Sequence, residues 1–167
     1  MNMLFEYNWQ VRQDWFDWCR ELPEEELLRE RVGGMGSFLN TLFHIVEVEY
    51  NWLTDVKQQV HPSYFNDTFD QYRSLAQVEE LSQRLHSQVA EVVYNWKPEL
   101  EHRELHDSGP DGQTEIHTYG EVMRHVIAHE IHHIGQLSIW ARMLDRKPVT
   151  ANLIRRGLGH TSPGNEL

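Results

Sequence analysis

The chain has 167 residues, and 15 Lys and Arg against 26 Asp and Glu give a formal charge of −11 with the 11 His neutral. Apolar residues make up 40% of the chain and aromatic residues 11%, enough to close a hydrophobic core without disulfides, which excludes whole-chain disorder. The acid excess argues against a nucleic-acid backbone or an anionic membrane surface as partner, because both are bound through Lys and Arg.

The one cysteine, Cys19, cannot form an intrachain disulfide and fits a reducing cytoplasm. The first residues carry Glu6 and Asp14 where a secretory signal needs a basic start and an apolar run. Even the richest apolar segment is broken by His44, Glu47 and Glu49, so no membrane span is expected. A single soluble, cytoplasmic domain over residues 1–167 is the expectation.

Apolar residues at Leu4, Phe5, Trp9, Val11, Trp15, Phe16, Trp18 and Leu22 recur at helical spacing and predict a first amphipathic helix over about 3–21, closed near Pro23. The glycine-rich run from Val32 to Gly36 ends at Ser37, a candidate N-cap for a second helix over about 37–57. Residues 61–70 read as a loop. Leu75, Val78, Leu81, Leu85, Val89, Val92 and Val93 predict a third helix over 71–97, stopped by Pro98.

The stretch 98–118 reads as a short exposed hairpin around Asp107–Gly112. Thr118 and Glu121 have capping-box spacing, and a fourth helix continues to about 145. The tail is expected to pack through Leu153 and Ile154. With no alternation of strand and helix, these elements predict an all-α four-helix bundle with a short hairpin before its last helix.

The most specific chemical feature is His129-Glu130-Ile131-His132-His133, in which His129 and His133, four apart, share one helix face and can converge on one ion. His44, between Phe43 and Ile45 in an apolar stripe, is the candidate third ligand; alone it would read as a hydrogen-bonded core histidine. Neutral imidazoles suit a divalent transition metal, zinc or nickel foremost, and three of them leave a coordination position open for chemistry.

These two stretches, Thr41-Leu42-Phe43-His44-Ile45 with Glu49 and Trp52, and His129 to Gln136, resemble the DinB-like family of four-helix-bundle proteins. The resemblance implies one divalent metal on His44, His129 and His133, and activity as a metal-dependent hydrolase or a low-molecular-weight-thiol S-transferase on a small molecule. It also implies a homodimer. A non-enzymatic metal-binding stress-response module is the alternative from another class.

The same segment matches H-E-x-x-H, the zinc-protease signature, with Glu130 as general base. Gln136 and Ile139 stand where a metzincin needs Gly and His, and Asp145 is the only acid between Ile134 and Asn165 that could complete another protease site. A di-iron carboxylate bundle would use Glu99 and His102 with Glu130 and His133, but Glu99 directly follows Pro98, in the hairpin region.

Among the remaining candidates, Glu130 is either a polariser of water at the metal or a solvated or salt-bridged residue at the helix edge. Glu47, Gln136 and His125 are candidates for orienting a ligand or meeting substrate. His132 is expected to face away, and His61, His86, His102, His106, His117 and His160 to be solvated. The tryptophans Trp9, Trp15, Trp18, Trp52 and Trp140 read as core, one or two of them lining a pocket mouth, and Cys19 as an apolar filler. Arg155 and Arg156 are either solvated or an anion contact.

Overall fold

The computed structural model describes residues 1–56, 67–108 and 113–158. Four long helices carry it: α1 (Asn2–Cys19), α3 (Phe38–Val56), α4 (Leu75–Tyr94) and α5 (Tyr119–Met143). A short α2 (Glu24–Leu28) follows α1, and an antiparallel hairpin of β1 (Glu104–Ser108) and β2 (Thr114–Thr118) leads into α5. The chain is thus a mainly-α bundle, as its periodicity predicts.

Each long helix turns one apolar stripe inward. Phe5, Val11, Trp15, Phe16 and Cys19 come from α1, Phe38, Leu39, Leu42 and Leu53 from α3, Val78, Leu81, Val89 and Val93 from α4, and Met123, Leu137 and Ala141 from α5, all at most 1% exposed. Each such large aliphatic or aromatic side chain contributes about 1.5–3 kcal/mol through burial, which makes this stripe the main stabilising force. Burial pushes the Cys19 thiol up to about 12, consistent with an inert filler.

Capping chemistry sets the helix ends. Gln77 N–H donates to Ser74 Oγ and the Ser74 N–H returns to Gln77 Oε1, so α4 starts at Leu75 rather than at the predicted 71. The same reciprocal pair, Thr118 and Glu121, starts α5 where its spacing predicts. Ser37 Oγ accepts from Asn40 N–H at the start of α3.

The helix α2 has no counterpart in the sequence reading, because Glu24 to Leu28 is too short to show a period. Pro23 opens it, its first turn is acidic, and Leu27 seals it against the core. Most of the expected 61–70 loop lies outside the described residues; Phe69–Gln71 form a 3-10 turn.

The tail differs from expectation at one residue. Leu153 packs on the core, but Ile154 is 76% exposed. The chain turns there, with Arg155 at φ 77°, and it is Arg156 that ties the tail down, pairing with Asp14 at 3.0 Å and donating to the Thr150 and Asn152 carbonyls. With these partners the Arg156 guanidinium is not free for an anion. No described helix is long and apolar enough to cross a membrane.

Candidate metal centre

The inner faces of α3 and α5 meet along a seam in which His44 faces His129 and His133, while Trp52, two turns further along α3, faces His125, one turn earlier on α5. The two helices therefore run antiparallel here. The structure brings His44, His129 and His133 together, with one donor nitrogen from each inside a 4.8 Å cluster. Nε2 of His129 lies 3.2 Å from Nε2 of His44 and 3.1 Å from Nε2 of His133. Nitrogens bound to one tetrahedral zinc at its usual bond length stand about 3.3 Å apart, so these spacings suit a shared ion.

The outer nitrogens decide how the rings are protonated. His133 Nδ1 donates to Gln136 Oε1 at 2.8 Å, and Gln136 Nε2 in turn donates to His132 Nε2 at 2.8 Å, which fixes the amide orientation. His44 Nδ1 stands 3.5 Å from Glu47 Oε2. The bond to Gln136 places the His133 proton on Nδ1 and leaves its Nε2 lone pair facing the centre, and the Glu47 carboxylate beside His44 Nδ1 favours the same tautomer there.

With its single Nε2 position, His129 can donate to only one of its two neighbours, and His133 Nε2 has no proton to offer. Protonating the rings does not relieve this. Burial, with the neighbouring His133, His44, His125 and His132 adding to it, pushes His129 down to about 3, and burial lowers His133 against the opposing hydrogen bond from Gln136. Three imidazoles that resist protonation in this way could hold a metal ion.

A glycine loop holds Gln136 in place. A Cβ on Gly34 would stand 2.7 Å from Gln136 Oε1 and 2.9 Å from the Trp140 ring, and Gly34 takes φ +53°, so glycine lets this backbone lie against the Gln136 amide. Trp140 Nε1 donates to the Val32 carbonyl and keeps the loop seated.

One turn from the histidines lies a second polar cluster that the sequence reading did not single out. Arg12 of α1 grips both oxygens of Glu130 at 2.9 and 2.6 Å and reaches Glu49 Oε2 at 2.7 Å, while Trp9 Nε1 donates to Glu49 Oε1 at 2.7 Å. Arg12, Glu49 and Glu130 are at most 4% exposed. Burial works against the Arg12 charge, but Glu130 and Glu49 outweigh it and hold the guanidinium protonated far above its ordinary range.

Glu130 is thus salt-bridged, as one of its two expected roles has it, but buried rather than solvated at a helix edge. Burial raises its carboxyl above the ordinary range against the pull of Arg12, and both of its oxygens are engaged, which leaves neither free for the base that an H-E-x-x-H protease needs. The missed signal was an arginine in the inward face Asn8, Val11, Arg12, Trp15.

The other candidates fall around this core. His125 is exposed with its ring 5.8 Å from that of His129, and His132, though exposed, is anchored to Gln136 rather than free. His86 packs edge-on to Trp9 and His117 to Trp52, and His102 and His106 are exposed. Glu99 is exposed beside His102, away from any metal-binding cluster among the described residues. His61 and His160 lie outside the described residues. Trp15 and Trp140 are core; Trp9, Trp18 and Trp52 are half-buried at its margin.

A long-helix bundle with three inward imidazoles contributed by two of its helices defines the class: a helical protein whose site could hold a metal ion. The DinB family model matches residues 1–163, and the chain belongs to the DinB family. It is 41% identical over 158 residues to the uncharacterized protein YizA of Bacillus subtilis (strain 168), covering 95% of this chain and 96% of that one.

Proposed function

We propose that this protein is a metal-dependent enzyme of one bundle domain that holds a divalent transition metal, zinc or nickel, on Nε2 of His44, His129 and His133, and acts on a small molecule as a hydrolase or a low-molecular-weight-thiol S-transferase. The observation that carries this reading is the convergence of the three Nε2 atoms, with His133 Nδ1 bonded to Gln136 and His44 Nδ1 facing the Glu47 carboxylate. When bound, such an ion supplies Lewis acidity toward a water or thiol brought beside it. Gln136 holds His133 toward the centre, and the Glu47 carboxylate stands beside the outer nitrogen of His44.

A purely structural or sensory ion is the competing reading. Structural zinc is ordinarily closed by four protein ligands, whereas among the described residues this cluster has three. That favours chemistry at the remaining position.

The test is metal content by mass spectrometry on untagged protein. About one equivalent of transition metal in the native chain, absent from a His129→Ala/His133→Ala variant, is the expected result. A native chain that stays empty after reconstitution with zinc and nickel overturns the reading.

A further inference from the structure

One to two turns along the α3–α5 seam from the histidine cluster lies a cavity of about 340 Å³ lined by Trp52, Glu115, His117, Glu121, Val122 and His125. It is large enough for a small organic group. Its walls are three rings: Trp52 meets His117 edge-on at 5.8 Å and His125 at 5.5 Å between centroids. His125 is also the bridge to the metal site, its ring lying 5.8 Å from that of His129.

The charge of the lining is one-sided. Glu115 and Glu121 contribute carboxylates, and the described lining holds no Lys or Arg. Hydrogen bonds from the Thr118 backbone and hydroxyl push Glu121 below the ordinary carboxylate range, so it is ionised. His117 Nε2 is buried and, although 3.3 Å from Glu115 Oε2, lacks a hydrogen-bonding partner. A buried nitrogen of this kind needs a ligand or water to satisfy it.

Aromatic faces combined with carboxylates recognise organic cations, through the ring quadrupole and through charge. An anionic group would meet two carboxylates, with no Lys or Arg in the described lining to offset them. We propose that this cavity is the specificity subsite of the metal-dependent reaction and takes the ammonium or amidinium end of a small substrate, Trp52 stacking on it and Glu115 and His117 accepting its N–H groups. The proposal rests on the metal reading above, and it places the cation one to two helical turns, about 5–11 Å, along the seam from the metal site.

The experiment is 19F NMR on zinc-reconstituted protein labelled with 5-fluorotryptophan, the Trp52 resonance being the one lost in Trp52→Phe. Three probes of similar size differ in charge: benzamidinium, benzyl alcohol and benzenesulfonate, titrated at about pH 8, where histidines are neutral. Benzamidinium is expected to move the Trp52 resonance and to bind about tenfold more tightly than benzyl alcohol, as a cation–π and ion contact of this kind allows. Benzenesulfonate is expected to leave it in place.

Glu115→Gln, an exposed position, is expected to narrow the tenfold preference to about threefold or less. Zinc content should stay unchanged in Glu115→Gln and Trp52→Phe. Benzenesulfonate binding as tightly as benzamidinium, a cation preference untouched by Glu115→Gln, or a Trp52 resonance that ignores benzamidinium up to about 10 mM, a very weak limit, would each overturn the proposal. A chain that takes up no metal yet still binds benzamidinium at Trp52 would sink the metal reading while leaving the cation site standing, so the two failures are told apart.

Discussion

In the cluster of Arg12, Glu49 and Glu130, a buried cation meets two buried carboxylates, and an indole N–H takes up a further acceptor. At His44, His129 and His133, on two of the same helices, ring nitrogens face one another at 3.1 to 3.2 Å with no carboxylate between them. Both clusters cross-connect helices, the first joining α1, α3 and α5 and the second α3 and α5. The first is satisfied within the chain, whereas the second could hold a metal ion. A closed polar network specifies structure, and an open one marks a place for chemistry.

The largest way to break that contrast is Arg12→Ala, which leaves two buried carboxylates without their cation. It should destabilise the fold by about 3–5 kcal/mol in urea unfolding. A loss under about 1 kcal/mol would show the triad to be no structural tie.

Gln136→Ala should leave the fold intact but weaken zinc binding by about 10–100-fold in a competition titration, because His133 loses the partner that fixes its proton on Nδ1. Gly34→Ala should act in the same direction through the displaced amide. Unchanged affinity in both variants would separate the glycine loop from the site.

The pH dependence follows from His129. Its folded value of about 3 lies below the ordinary 6.5, so its neutral form is favoured by folding. The metal-free protein should therefore keep this contribution above about pH 6.5 and lose it progressively as pH falls toward about 3. Thermal scans of the metal-free chain should show this slope, and a His129→Leu variant should flatten it.

The smallest effect is expected from His44→Leu in the metal-free state. Removing one member of an unsatisfied cluster should change stability by less than about 1 kcal/mol, or raise it, while stoichiometric metal is lost. A loss as large as that of Arg12→Ala would mean that the histidines are a structural network after all.

The long helices were legible because their apolar stripes repeat over many turns, and the start of α5 because Thr118 and Glu121 are local partners. The pair His129 and His133 was legible for the same reason: four residues on one helix fix their shared face. The meeting of His44 with that pair could be read only as a candidate, since it depends on how two helices 85 positions apart in sequence are rotated. Arg12 escaped notice because its partners Glu49 and Glu130 lie 37 and 118 positions away. Helix α2 has no period to read, and Ile154 was misassigned because hydrophobicity alone does not show where a tail turns outward.

The contact between His44 and His129 spans 85 residues of chain. An ion gripped there would act as a reversible staple on chain connectivity, closing a long loop much as a disulfide does but answering to chelators rather than to reductants. The melting temperature would then depend on free metal concentration, and the supply of the ion would govern how long the chain survives as well as what it can do.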